Sequence, residues 1–302
     1  MNVARHRIPT LLVTLTLLGA LLGAGAARAQ GNCTMDQLAG TYAFESHGSI
    51  TFSLEPVPNI EWLMVTRPLI MLSLITIAPD GAMNGPAWVI LGRVLTAGLV
   101  SSPLVGQLVE LDGPTCTAVL EWRGNPTPGK PPALHRERVV FVDNGREFRS
   151  MLKYSPSGTM AWIGRGHRIT SDEPGGSCGP HQLAGEVLLQ CESVGIEGRA
   201  VTATSLARLV VDHDGAFTGT IDSKDPVFAE LTVAGAFDVQ PDCSVGVTLE
   251  ALELPGVVHR GMGVIFDAGK GGYFIHPLET TRPDGTIVKP AFARCELQSL
   301  GS

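Results

Sequence analysis

Cys33-Thr-Met-Asp-Gln-Leu-Ala-Gly40 returns as Cys178-Gly-Pro-His-Gln-Leu-Ala-Gly185, and the residues downstream of each copy repeat a common series of signals in the same order. Ala78-Pro-Asp80-Gly81-Ala82 matches His213-Asp214-Gly215-Ala216, and Gly113-Pro-Thr-Cys116-Thr matches Gln240-Pro-Asp-Cys243-Ser. Val140-Phe-Val-Asp143-Asn-Gly145 matches Val264-Ile-Phe-Asp267-Ala-Gly269, Ser157-Gly158 matches Asp284-Gly285, and Arg168 is aligned with Arg294. A collinear series of this kind marks the tandem duplication of one fold, so a reading made on either copy is checked on the other. The shared positions are glycines, cysteines and turn residues. They specify a scaffold and no chemistry.

Between these signals run short apolar or alternating segments, among them Leu69–Ala78, Thr117–Trp122, Arg138–Val142, Leu206–Val211, Ala229–Val239 and Val245–Leu252. Asp-Gly and Asn-Gly pairs at their ends are hairpin signals. Only Met35–Ala39 and His181–Ala184 suit a brief helical turn. The pattern predicts an all-β protein of two tandem antiparallel β-barrel or sandwich-like domains. Their expected bounds are 30–169 and 178–302, joined by a Pro/Gly-rich linker at 170–177.

Period-two alternation assigns faces. Ala118, Leu120 and Trp122 align with Val245, Val247 and Leu249, apolar in both copies, which turns Trp122 inward and Glu121 to solvent. Trp162, aligned with about Val288, is expected inward as well. One asymmetry stands out: Trp62–Ala78 and Pro86–Leu111 are far more apolar than their counterparts around Thr218–Val239. That predicts either a greasier interior or a contact surface for the first unit.

The first 29 residues have the anatomy of a secretory signal peptide: Arg5 and Arg7, an apolar run from Leu11 to Ala24, then Ala27-Arg28-Ala29 before the expected cut. Removing Arg5, Arg7 and Arg28 from the 22 basic residues leaves 19 against 29 acidic, a net charge near −10. A chain so acidic, without a basic run, is a poor ligand for nucleic acid. No transmembrane helix is expected in the mature chain, and the expected location is the periplasm or the extracellular space. Six cysteines in an exported chain read as disulfides. The repeat makes Cys33–Cys116 and Cys178–Cys243 the economical pairs, leaving Cys191–Cys295 to tie the second unit's ends together.

The Cys-x4-Leu-x-Gly start, the Asp-Gly hairpins, the mid-domain Pro-x-Cys and the closing Gly166-His-Arg168 strand resemble small exported bacterial β-domains of unknown function. More loosely they resemble calycin and allene-oxide-cyclase-like barrels. The resemblance implies a small closed barrel with an apolar interior, and it brings no catalytic residues.

Formal motif matches fail on context. Gly175-Gly-Ser177-Cys-Gly179 fits a nucleophile elbow in letters but lies in the linker. Ser150-Met-Leu-Lys153 sits in an alternating segment, where positions three apart face opposite ways. Asp267–Tyr273 lacks the Gly-Lys-Ser/Thr ending of a phosphate loop. Asp212-His213-Asp214 at a hairpin cannot by itself close a metal site, and the remaining histidines show no ligand spacing. No cofactor or metal is therefore expected. Glu45, Trp122 and Trp162 remain as candidate ligand-binding residues, an acidic anchor and two aromatic walls. The functional expectation is the binding of a hydrophobic small molecule or lipid within a barrel. Its rivals are a non-catalytic envelope protein using an exposed apolar patch, and a cofactor-free cyclase or isomerase.

Overall fold

The computed structural model describes residues 32–54, 63–91, 98–124, 133–155, 159–170, 177–195, 203–223, 230–253, 255, 258–281 and 287–301. The expected signal peptide and most of the expected linker lie outside them, as do Ser157-Gly158 and Asp284-Gly285. Sixteen antiparallel strands close into two barrels of eight. The first is built from β1 (Gly40–Leu54), β2 (Leu63–Ile77), β3 (Ala82–Leu91), β4 (Gly98–Asp112), β5 (Thr117–Gly124), β6 (Ala133–Val142), β7 (Glu147–Tyr154) and β8 (Thr159–Arg168). The second comprises β9 (Gly185–Gly195), β10 (Ala203–Val211), β11 (Ala216–Ser223), β12 (Leu231–Val239), β13 (Ser244–Ala251), β14 (Val258–Phe266), β15 (Gly271–Thr281) and β16 (Ile287–Gly301). In each barrel neighbours in sequence are neighbours in space, and the last strand pairs with the first. Closure leaves no sheet edge exposed.

Each barrel is plugged at one end by the short segment just after its first cysteine. In the first, helix α1 (Met35–Leu38) starts at a capping box in which Thr34 and Gln37 satisfy each other's backbone N–H groups. Leu38 is fully buried beneath the strands. The Tyr42 hydroxyl lies 2.8 Å from the carbonyls of both Leu38 and Gly145, and Arg168 donates to the carbonyls of Gln37 and Ala39. In the second barrel the 3-10 turn Pro180–Leu183 does the same work with Leu183. Disulfides Cys33–Cys116 and Cys178–Cys243 fasten each plug to the turn between the fourth and fifth strands. Cys191 and Cys295 face each other across β9 and β16 and are joined. Ser46 and Gly164 hold the matching places in the first barrel.

The register corrects two alignments. Arg168 lies opposite Tyr42 at the plugged end, whereas Arg294 lies opposite Glu192, well along its strand. The two arginines are not equivalent. Trp162, opposite Gly48, corresponds to Ala293, opposite Ser193, rather than to a residue near Val288. The inward faces of Ala118, Leu120 and Trp122 and of Val245, Val247 and Leu249 are as the alternation requires. Ser150 and Lys153 lie in strand β7.

The apolar excess of the first unit has two destinations. Leu69, Met71, Ile75, Ile77, Ala87 and Val89 fill the barrel. Ile70, Leu72, Leu74, Trp88 and Ile90, on the opposite face of the same strands, pack against Val264, Phe266, Tyr273 and Ile275 of the second barrel. The expected exposed patch is thereby overturned for these residues, because the chain covers it with its own second barrel.

Strand β8 carries glycine where aromatic rings need its backbone. A Cβ on Gly166 would lie 2.1 Å from the Phe148 ring, an impossible contact. Gly166→Ala is expected to cost about 1–3 kcal/mol, the usual penalty for overpacking a core. Urea denaturation of the purified variant checks it.

Candidate functional site

Among the described residues, two constellations of buried polar side chains involve the candidate residues. One lies inside the first barrel, and the other lies between the barrels.

The inner one is built by β5, β6, β7 and β8, whose alternation turns Trp122, His135, Glu137, Ser150 and Trp162 inward. His135 and Glu137 are completely buried, and Trp122, Ser150 and Trp162 nearly so. The Trp122 indole N–H donates to Glu137 Oε1 at 2.7 Å. His135 stacks on that indole, with centroids 4.2 Å apart, and the Trp162 ring lies 5.7 Å from both. Burial pushes the Glu137 carboxyl up, against the opposing pull of the Ser150 hydroxyl and the Trp122 and Trp162 indoles. Of these donors only Trp122 makes a well-formed hydrogen bond, and Glu137 Oε2, Ser150 Oγ and Trp162 Nε1 make none.

The layer lies toward the end of the barrel opposite the plug, where the connections 55–62, 92–97, 125–132 and 156–158 fall outside the described residues. A gap lined by Ile75, Met83, Leu108, Leu120, Val139 and Phe148 has no room for a water molecule.

Anchoring the repeat at Cys116/Cys243 and at Asp143–Gly145/Asp267–Gly269 identifies what the second barrel places in the same layer. Leu249 replaces Trp122, Gly261 replaces Glu137, Phe274 replaces Ser150, and Ala293 replaces Trp162. Only His135 has a like counterpart, His259, which meets His276 edge-on at 5.3 Å. His276 Nδ1 lies 2.9 Å from the Arg260 carbonyl, and because a carbonyl accepts, Nδ1 carries the proton. Burial, reinforced by His259, pushes His276 down to about 4. The scaffold thus closes equally well around apolar residues, and the carboxylate and both tryptophans belong to the first barrel alone.

The outer constellation contains Glu45. Its side chain is 1% exposed, on the outer face of β1, so it shares no site with Trp122 and Trp162. Arg294 of the second barrel reaches Oε1 at 3.1 Å and Arg165 reaches Oε2 at 3.4 Å. Arg294 also approaches His47 Nδ1 at 2.6 Å, and that nitrogen lies 3.2 Å from Glu45 Oε1. Arg165 pairs with Glu296 and Arg294 with Glu192, each at 2.8 Å, and Arg165 covers the Tyr273 ring. Burial would raise the Glu45 carboxyl. The contacts with His47 and Arg294 outweigh it and hold the group below its ordinary range.

Sequence reasoning turned Trp122 inward and expected Trp162 inward as well, but it did not single out Glu137 and left His135 as an ordinary histidine. The signal was present. Counting back from buried Phe141 and Val139 by twos arrives at Glu137 and His135 on the inward face. Asp212-His213-Asp214 is a turn device, with Asp212 Oδ1 accepting from the N–H groups of Asp214 and Ala216. Among the described residues no cluster suits a metal ion, and no helix is long and apolar enough to cross a membrane.

No protein-family model matches the chain, and no curated protein matches it. Solved structures resemble it at low similarity. A protein of unknown function from the DUF3598 family of Nostoc punctiforme is 11% identical, with 87% of this chain and 97% of that one covered and a TM-score of 0.26. A Trp-176-Ala mutant of transferrin binding protein B from Haemophilus parasuis is 8% identical, covers 86% and 75%, and scores 0.26. A putative AttH from Nitrosomonas europaea is 10% identical, covers 92% and 97%, and scores 0.31. Likenesses this slight bear on neither ligand nor mechanism.

The seam makes stability depend on pH. A carboxyl held below its unfolded value stabilises fully above the ordinary carboxylate range, and that contribution is lost as pH falls through the depressed value. Glu45→Ala is expected to cost about 3 kcal/mol, the low end for removing one partner of a buried ion pair, since Glu192 and Glu296 still neutralise the arginines. Thermal melts from pH 7 to pH 3 should show the wild-type advantage over the variant shrinking toward the acid end.

Proposed function

We propose that this chain is an exported, non-catalytic binding protein that holds a small, mainly apolar molecule in its first barrel. The ligand would enter at the end opposite the plug and rest on Trp122 and Trp162. The observation that carries this reading is the contrast between the repeats. Where the second barrel packs Leu249, Gly261, Phe274 and Ala293, the first keeps two indoles around a buried carboxyl. Burying a carboxyl with one oxygen left without a hydrogen bond destabilises a fold, and the sister barrel closes without one. Such a layer is retained for something other than packing.

An eight-stranded barrel has the bore to hold one small ligand, and a mainly apolar wall with a few polar groups is the usual makeup of such a site. Three disulfides favour an oxidising compartment, in keeping with an N-terminal signal peptide cut near Ala29. The domain bounds proposed are 30–169 and 178–302, joined by 170–177. Glu45 is assigned to the junction of the barrels rather than to the ligand.

A second reading has one observation in its favour. A carboxyl raised by burial is what a cofactor-free isomerase or cyclase would use to move a proton. The two readings part on whether a bound molecule leaves unchanged.

Native mass spectrometry of the protein recovered from its own exported fraction tests the carrier. A non-covalent excess of a few hundred daltons, lost on denaturation, is the expected result. Trp162→Ala should abolish that excess or weaken rebinding of the extracted molecule by about tenfold, roughly 1.4 kcal/mol. Leu249→Ala in the second barrel should leave it intact. A bare mass, or equal effects of the two substitutions, would contradict the reading.

A further inference from the structure

Among the described residues, no lysine or arginine stands beside the carboxyl of Glu137. The groups facing it are Trp122 from β5, His135 from its own strand, Ser150 from β7 and Trp162 from β8. Among the described side chains, the one cation on the inward face of these four strands is Arg168, and it lies at the plugged end, bonded to the carbonyls of Gln37 and Ala39. Arg136, Arg138, Arg149 and Arg165 all point outward. Trp122 fixes Oε1 from one side, while Oε2 makes no well-formed hydrogen bond. The Trp122 and Trp162 rings, inclined at 32° to each other with centroids 5.7 Å apart, bring aromatic surface into the same layer as the carboxyl.

We infer that the molecule held in the first barrel carries a protonated amine on an apolar body, and that Glu137 supplies its counter-ion beside the two indoles. This deepens the carrier reading and rests on it. A neutral hydrocarbon would gain nothing from a buried carboxyl, and an anionic one, such as a fatty-acid carboxylate, would be repelled by it once that carboxyl is ionised. An ammonium group gains twice, from the carboxylate and from the negative faces of the rings, and both gains are larger in a dry interior.

The charge balance has a measurable consequence. Burial raises the empty carboxyl, so it is protonated at a pH where an exposed glutamate is not. On binding, Glu137 gives up its proton to solvent and the ammonium takes its place, so that one proton is released for each amine bound. Amine affinity should therefore rise up to tenfold per pH unit until the empty-state value is passed, and be flat above it.

The probes are dodecylamine, dodecan-2-one and dodecanoate, each below its micellar concentration, titrated into the whole protein with tryptophan fluorescence as the readout. Calorimetry in buffers of different ionisation enthalpy counts the released protons. The expected order is amine over ketone over carboxylate, with at least tenfold between the first two. Glu137→Gln, which keeps an acceptor for Trp122, should erase that gap and the pH dependence while sparing ketone binding. Trp162→Ala should weaken amine and ketone together.

Ketone binding equal to or tighter than amine binding, with affinity lost as pH rises, would overturn the inference and make Glu137 a hydrogen-bond donor, leaving the carrier reading intact. Tightest binding of dodecanoate would overturn it likewise. Failure of all three probes to bind would remove both.

Discussion

Strand β2 is buried on both faces, and the arrangement of the whole molecule depends on that. Its inward residues Met71, Ile75 and Ile77 fill the first barrel, while Ile70, Leu72 and Leu74 on the other face meet Val264, Phe266, Tyr273 and Ile275 of the second. A barrel strand with one face in water alternates apolar and polar residues, and one buried on both sides reads as a continuous apolar run. Leu69–Ile77 is such a run. The corresponding strand of the second barrel, β10, shows Leu206 and Val210 to solvent with Arg208 between them. The duplication has therefore diverged by giving one copy an adhesive outer face.

At the rim of that apolar contact lie the ions. Glu45 is inaccessible to water and is held by an arginine from each barrel, which are in turn neutralised by Glu192 and Glu296. A single carboxyl bridging two barrels resists rotation of one against the other more than apolar packing alone does. Apolar contact is non-directional, whereas these hydrogen-bonded pairs tolerate one geometry. The disulfides act elsewhere. Two fasten plugs and one closes the last strand of the second barrel onto its first. Within the first barrel the same stretch of wall is left to Ser46 and Gly164, which gives the adjoining interior over to Phe44 and to the Glu137 layer.

The fold was legible because its determinants are local and were written twice. Asp80-Gly81 and Asp214-Gly215 turn, with Gly81 and Gly215 in the left-handed region, and the strands between such turns alternate. The short plugs were legible as well, from Cys33–Gly40 and its copy. What the sequence did not reveal is which apolar residues meet the other barrel and which meet their own. A buried outer face and a buried inner face have the same composition. Glu45 was misgrouped with the tryptophans for that reason, since a carboxylate on an alternating strand carries no mark of where its counter-charge lies along the chain. Arg294 is 249 residues away. Glu137 was legible in principle through the alternation of β6, but its neighbours Arg136 and Arg138 make the segment look like a solvated one.

The mainly apolar interior of the first barrel holds a carboxyl that no described lysine or arginine neutralises. Titrating the side-chain carboxyl carbon of Glu137 by NMR in ligand-free protein measures that directly, with Glu137→Gln to assign the resonance. Glu137 is expected to ionise above the exposed glutamates of the same chain. A midpoint at or below theirs would mean that water or a cation reaches the group, and would contradict it.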